Sequence, residues 1–429
     1  MSPTKAAAET PRSGIAASEI APLFSPLKGY RHLAIAVSGG PDSTALMLLA
    51  AQWKGKVKFS VLTIDHGLRR ESAEEARQVK RWARKLGLPA YILTWQSPTK
   101  SAVQARAREA RYRLMAQWCA QHEAEGVVTA HTLDDQAETL LMRLARGSGI
   151  DGLSAMASET WVHGVKVLRP LLDIPRERLR NFLESRGHGF FSDPSNDNPA
   201  FERVRIRKAG RLLASVGLKP EALALTARRL HRARQALERA TDELEASAVA
   251  PQPEGHAIID LKRLSKASEE IQLRLIFRLL ERVGGTSASP QLSEVERLGQ
   301  WLLAGGGLSR TLGGCRVQRR SRILIVGRES GRMRCRPITI RPGETLVWDD
   351  RFKIRLDQGS GRSLKVLPLG AAKDRRQVKR PKNLPDFVFK TLPALTSKGQ
   401  VALVPQLGYS RPGASPAVKA EVVPLLASS

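Results

Sequence analysis

The chain has 429 residues, with 70 Lys and Arg against 41 Asp and Glu for a formal charge of +29. That is room for two or three cores, and a surface that attracts polyanions, nucleic acid above all. Its three cysteines, Cys119, Cys315 and Cys335, form no CxxC pair, which argues against a zinc ribbon, a cluster ligand set or a disulfide framework and fits a reducing cytoplasm.

Residues 1–18 are rich in Ala, Ser, Thr and Pro without a continuous apolar run, so they read as a disordered tail and not a signal peptide. From 31 to 141, short apolar runs alternate with longer periodic segments. The pattern predicts strands over 32–37, 57–64, 90–95 and 126–130, and helices near 43–52, 72–86, 102–122 and 133–146. This is the order of an open, mainly parallel α/β sheet with helices on both faces, in which ligands lie beyond the carboxyl ends of the strands. The first, second and fourth strands run into SGGPDS, DHGLR and HTLDDQAE, so three polar clusters converge on one crevice. The α/β domain is expected to occupy 19–217. A helical middle domain over 218–330 follows, with helices at 219–244, 267–283 and 291–303, and then a small β-rich domain over 331–429. Arg228, Arg229, Arg232, Arg234 and Arg239 make the first of those helices either a basic arm against RNA or a core helix with a solvated face. The basic run 373–382 is an RNA contact or a solvated loop. No segment approaches the ~20 apolar residues of a membrane span.

Strand, SGGPDS, then helix forms the informative motif. Gly39 and Gly40 allow a tight turn with inward N–H groups, and the helix that follows presents unpaired donors and its positive dipole end to a phosphate. Pro41 needs no N–H in a first-turn position, and Ser38 and Ser43 add hydroxyls. Asp42 beside phosphates makes electrostatic sense with a divalent cation between them, which implies Mg2+. No GxxxxGK[ST] or post-strand GxGxxG sequence is present, so neither a P-loop kinase nor a dinucleotide dehydrogenase is supported. His131, Asp135 and Glu138 stand at i, i+4 and i+7, which on one helix would share a face.

SGGPDS resembles the loop of the N-type ATP pyrophosphatases, which cleave ATP between its α and β phosphates and transfer AMP to a substrate oxygen. Four further blocks are similar to the tRNA(Ile)-lysidine synthase family: DHGLR from Asp65, AREARY from Ala107, HTLDDQAETLLMRLARGSGIDGL from His131 and DPSN from Asp193. They cover most of the first 215 or so residues and fade beyond Gly217. The resemblance implies that ATP binds at Ser38, Gly39, Gly40, Pro41, Asp42 and Ser43, with Asp65 and His66 lining the adenosine pocket. It implies that His131, Asp135 and Glu138 bind free lysine and help deprotonate its ε-ammonium, so that Asp42 and this trio form the catalytic set, with Asp42 as metal ligand. Arg108 and Arg111 would reach phosphates of nucleotide or tRNA. The family's RNRIR block stands here as Arg203, Val204, Arg205, Ile206 and Arg207. All three arginines are phosphate or tRNA candidates on either a strand or a helix, and Val204 removes a side-chain amide.

The implied reaction adenylates O2 of the wobble cytosine of tRNA(Ile) with the CAU anticodon, releasing pyrophosphate. The lysine amine then displaces AMP to give lysidine. The rival within the superfamily is a tRNA thiolation enzyme, which would need paired cysteines. The rival outside it is a noncatalytic basic RNA-binding protein, which would not require Asp42, His131, Asp135 and Glu138.

Overall fold

The computed structural model describes residues 14–65, 67, 70–95, 103–192, 198–285, 289–304, 307–333, 336–412 and 419–424, and the chain divides into two units, 1–235 and 236–429. The first contains α1 (Ala17–Phe24), β1 (His32–Ala36), α2 (Pro41–Gln52), β2 (Lys58–Asp65), α3 (Arg70–Lys85), β3 (Ala90–Thr94), α4 (Val103–Gln121), β4 (Val127–Val128) and α5 (Leu133–Leu144). After these come α6 (Ile150–Leu153), β5 (Glu159–Val162), β6 (Val165–Leu168), α7 (Arg176–Glu184), α8 (Glu202–Lys208), α9 (Gly210–Ser215) and the first part of α10 (Pro220–Ala248).

The six strands lie in the order β3-β2-β1-β4-β6-β5. All pairs are parallel except the β5–β6 hairpin at one edge. Side chains that alternate across the pleat build two cores. Leu33, Ile35, Phe59, Val61, Val128 and Leu168 pack on one face with residues of α1, α2, α3 and α7. Ala34, Leu62, Val127, Val165 and Val167 pack on the other with Tyr112, Met115, Trp118 and Cys119 of α4. The chain leaves β1 toward β2 on one side and returns to β4 on the other, so the topological switch point lies between β1 and β4. A ligand crevice is expected there.

Two readings of the first unit need correction. The N-terminal tail does not extend to residue 18. Ile15 is 4% exposed and joins the core with Ile20 and Phe24 of α1, and the Gly14 carbonyl accepts from Arg178. The division between units also falls inside α10 and not at 217. Leu223 packs with Ala137 and Leu140 of α5, which ties the start of that helix to the catalytic unit.

In the second unit the chain continues with β7 (Val249–Pro251), β8 (Ala257–Asp260), α11 (Leu261–Leu264), α12 (Glu269–Gly284), α13 (Leu292–Leu303), β9 (Ser309–Leu312), β10 (Cys315–Arg320) and β11 (Ile323–Arg328). The middle segment is therefore not simply helical: an antiparallel sheet, β7-β8-β11-β10-β9, packs against α12 and α13. Glu238, Asp242 and Glu245 of α10 bind Arg274, Arg278 and Arg282 of α12 in a ladder of ion pairs. The C-terminal segment is β-rich. Its strands are β12 (Ile338–Ile340), β13 (Thr345–Trp348), β14 (Phe352–Leu356), β15 (Leu364–Pro368), β16 (Pro393–Ser397), β17 (Gln400–Val404), β18 (Tyr409–Ser410) and β19 (Ala420–Pro424), with α14 (Asp386–Lys390) between β15 and β16. They form one sheet of five strands and one of three. Among the described residues, no helix is long and apolar enough to cross a membrane.

Candidate active site

The loop after β1 is held from both ends. Ser43 Oγ accepts from the Ser38 N–H and donates to the Gly40 carbonyl, each at 3.1 Å, so one hydroxyl closes the turn. Gly40 is the N-cap of α2 and Pro41 its first residue, which leaves the first-turn N–H groups directed at the crevice. Gly39 has φ +86°, a region open to glycine but strained for an L side chain. A Cβ there would meet Phe191 Cδ2 at 2.7 Å and Val79 Cγ2 at 3.1 Å. The Phe191 N–H donates to the Gly39 carbonyl at 2.8 Å, and its ring stacks on Trp82 with centroids 5.2 Å apart. An aromatic pair thus backs the glycine turn.

The second wall comes from β4 and α5. Helix α5 starts at Leu133 with Thr132 as N-cap, so His131 precedes the helix. The expectation of one helix face bearing His131, Asp135 and Glu138 is therefore corrected: only the two carboxylates share a face, and His131 is placed by the strand end. Its Nδ1 lies 2.9 Å from Thr129 Oγ1. Asp135 Oδ2 accepts from both the Thr132 N–H and its hydroxyl at 2.9 Å, closing a capping box. Asp135 and Glu138 are 8% and 5% exposed, so both charges need partners.

Arg176, the first residue of α7, provides them. Its Nε donates to Asp42 Oδ2 at 3.1 Å, its Nη2 to Asp135 Oδ1 at 3.0 Å and its Nη1 to Glu138 Oε1 at 3.2 Å, while its backbone N–H donates to Asp134 Oδ2 at 2.7 Å. One guanidinium therefore joins the phosphate loop to both carboxylates of α5. Sequence reasoning passed over this residue. A usable signal was present: a cation at the positive end of a helix dipole is unfavourable unless acids surround it, and Pro175-Arg176 opens a helix just after a strand.

Electrostatics separates the carboxylates. Burial pushes the Asp42 carboxyl up to about 6, against the charge of Arg176 and helped by Asp135 and Asp134. Burial also acts upward on Asp135, but Arg176, the Thr132 donors and His131 outweigh it and hold that carboxyl below its ordinary value. Asp42 Oδ1 is buried without a hydrogen-bond partner, which fits an oxygen meant for a cation. Among the described residues no group of three or more His, Cys, Asp or Glu is placed to hold a metal ion by itself. A magnesium ion there would rely on Asp42 and on substrate phosphates, as that ion commonly does.

The RVRIR block forms helix α8, and its arginines part company. Arg207 grips Glu138 in bidentate fashion at 2.8 and 3.0 Å. Arg203 reaches Thr139 Oγ1 at 3.2 Å. Arg205 turns back onto the carbonyls of Pro199 and Ala200, and Val204 is buried, so a side-chain amide at that position would enter an apolar environment. Asp65 Oδ1 accepts from the Gly67 N–H and Ser72 Oγ, an arrangement that fastens its own loop. Arg111 is exposed on α4. His66, the side chain of Arg108 and the DPSN block lie outside the described residues.

A family model for the PP-loop domain matches residues 13–211, the segment that carries every feature above. The chain is also similar to curated proteins named tRNA(Ile)-lysidine synthase. It is 44% identical to the one from Rhodopseudomonas palustris over 68% of this chain and 86% of that protein. The Ruegeria pomeroyi protein is 38% identical over 82% and 84%, and that of Wolbachia pipientis wMel 32% over 88% and 89%. With a glycine turn backed by an aromatic pair, an acid at its helix start and two buried carboxylates facing it across the switch point, the chain belongs to the tRNA(Ile)-lysidine synthase family.

Proposed function

We infer that the protein uses ATP to join lysine to the wobble cytidine of a tRNA(Ile) with a CAU anticodon, yielding lysidine, AMP and pyrophosphate. The observation that carries this reading is the meeting of Asp42 with Asp135 and Glu138 around a single guanidinium. A carboxylate suited to a nucleotide's cation and two suited to an amino acid's ammonium thus share one crevice. A bound Mg2+, held by Asp42, supplies charge neutralisation for the departing pyrophosphate. The inward N–H groups of 38–40 and the start of α2 bind the phosphates and stabilise the same charge. Asp135 and Glu138 bind the ε-ammonium of lysine. Both carboxylates already accept from guanidinium groups, and Asp135, held below its ordinary value, is better at holding charge than at taking a proton. His131, whose Nδ1 lies 2.9 Å from the Thr129 hydroxyl, is the imidazole beside them that can take the proton. The amine, once deprotonated, attacks C2 of the adenylated cytosine, and AMP leaves with the electron pair of the broken C–O bond. The excess of Lys and Arg suits an RNA substrate, and the cytoplasm is where such a substrate resides.

The thiolation alternative is disfavoured by Cys119 and Cys315, whose thiols burial pushes up to about 11 and about 12; such thiols are poor nucleophiles. Incubation with ATP, Mg2+, radiolabelled lysine and a tRNA(Ile) CAU transcript is expected to transfer label to RNA with one pyrophosphate per lysine. Asp42→Asn is expected to cut pyrophosphate release by about a hundredfold or more. Label transfer without pyrophosphate, or pyrophosphate release that needs no lysine acceptor chemistry but does need a sulfur donor, refutes the reading.

A further inference from the structure

We propose that Arg176 is a positioning residue that couples the two substrate sites. Without nucleotide its guanidinium occupies the carboxylate oxygens that lysine needs, and it vacates them when nucleotide phosphates enter the loop. This rests on the lysine-binding reading of Asp135 and Glu138 given above.

The argument is a matter of which oxygens remain. Asp135 Oδ2 is committed to the Thr132 N–H and hydroxyl, and Glu138 Oε2 to Arg207 Nη2. An incoming ammonium therefore depends on Asp135 Oδ1, where Arg176 sits at 3.0 Å, and on the second lone pair of Glu138 Oε1, where Arg176 at 3.2 Å adds to Arg207 Nε at 2.8 Å. Its third nitrogen holds Asp42 of the phosphate loop at 3.1 Å. A planar fork can span three acids in this way, whereas a compact ammonium cannot. All three contacts are longer than the 2.7–2.9 Å common for charge-assisted N–H···O bonds. None is optimised. Phosphate oxygens match the fork bidentately, so phosphates at the loop compete for the guanidinium from the Asp42 side. The backbone stays in place because the Arg176 N–H is fastened to Asp134, and Arg207 keeps Glu138 oriented at 2.8 Å after the side chain turns away. Asp135 and Glu138 then keep one guanidinium between them, that of Arg207 on Glu138, in place of two, which favours entry of a cationic amino acid. Lysine is thus bound well only after nucleotide, and by linkage lysine tightens nucleotide binding by the same factor.

The test is equilibrium dialysis of radiolabelled lysine against the full chain, with and without Mg2+ and α,β-methylene ATP, which cannot release pyrophosphate. In the wild type the nucleotide is expected to lower the lysine Kd about fivefold or more. Arg176→Gln is expected to bind lysine without nucleotide as tightly as the nucleotide-loaded wild type, with the nucleotide effect reduced to less than about twofold. Arg176→Lys should give an intermediate effect, and it carries the test if the glutamine variant does not fold. A lysine Kd indifferent to nucleotide in the wild type, or an undiminished nucleotide effect in either variant, overturns the coupling while leaving the lysine site standing. Absence of lysine binding in the wild type under both conditions overturns the lysine site and the coupling together.

Discussion

Replacing Gly39 with alanine tests the proposal that the aromatic pair fixes the phosphate loop. The new Cβ faces two separate costs. At φ +86° an L residue in the left-handed region is strained by about 1–2 kcal/mol. The same Cβ would stand 2.7 Å from Phe191 Cδ2, and the ring cannot retreat freely. The Phe191 backbone N–H is bonded to the Gly39 carbonyl and its ring stacks on Trp82, while Val79 Cγ2 stands 3.1 Å from the same Cβ. Overpacking of this kind costs about 1–3 kcal/mol, so the loop geometry should be destabilised by roughly 2–5 kcal/mol in total. Nucleotide binding, measured with a fluorescent non-hydrolysable ATP analogue, is expected to weaken by between about 30-fold and several thousandfold. Phe191→Leu in the same chain removes the clash but not the backbone strain. The double variant should therefore recover about 1–2 kcal/mol relative to the sum of the single changes. If Gly39→Ala binds the analogue like the wild type, or if the two substitutions are strictly additive, the ring is not what fixes the loop.

Arg207→Ala is expected to raise the lysine KM by about tenfold or more, because the buried Glu138 loses its bidentate partner and keeps only the single Arg176 contact, while Arg205→Ala should change it less than about twofold because that side chain serves its own loop; steady-state kinetics separates them. In the second unit, Asp349 is the anion between Arg328 and Arg351, and all three are under 9% exposed. Asp349→Asn leaves two buried guanidiniums poorly compensated and is expected to destabilise that unit by about 3–5 kcal/mol, read as faster hydrogen exchange in β11 and β14. Burial pushes His256 down to about 4, and its Nδ1 has no hydrogen-bond partner, Glu254 Oε2 being 3.8 Å away. The unfolded chain takes up this proton below about 6.5 and the folded chain refuses it until about 4, so stability falls across that window, by about 3 kcal/mol at most. His256→Gln should flatten the loss between pH 7 and pH 4.5 in exchange measurements on β8 and β11.

Short apolar runs between longer periodic segments made the catalytic sheet legible. Leu33 to Val37 is a continuous apolar run, and 57–64 is an apolar-rich one interrupted by Lys58, Ser60 and Thr63; a parallel strand buried on both faces leaves such a run. The sheet of the middle segment was harder to read. CRVQRR buries Cys315 and Val317 but spends its other positions on Arg and Gln, so a one-face strand is diluted by charge and the stronger helical periods of α12 and α13 dominate. The boundary inside α10 has a similar origin. Its heptad spacing is continuous, and nothing local marks where Leu223 packs on α5 and where Glu238 begins to pair with α12.

The site was legible where the motif is local and illegible where it is a charge balance. SGGPDS specifies its own turn, since glycine freedom, the Ser43 hydroxyl and a helix start act within six residues. Asp135 and Glu138 could be placed on one face from their spacing alone. Their burial could not, and burial decides what else the site must contain. Two carboxylates below 9% exposure cannot stay ionised without cations, and the cations come from α7 and α8, 38 and 69 residues beyond Glu138. The three arginines of RVRIR look equivalent in sequence, yet the helical turn sends Arg207 to Glu138, Arg203 to Thr139 and Arg205 back to its own loop. A conformation that the sequence left open thus assigns three like residues three different tasks. The acids that mark the substrate sites also imply, once buried, that an internal cation must stand in for the substrate until it arrives.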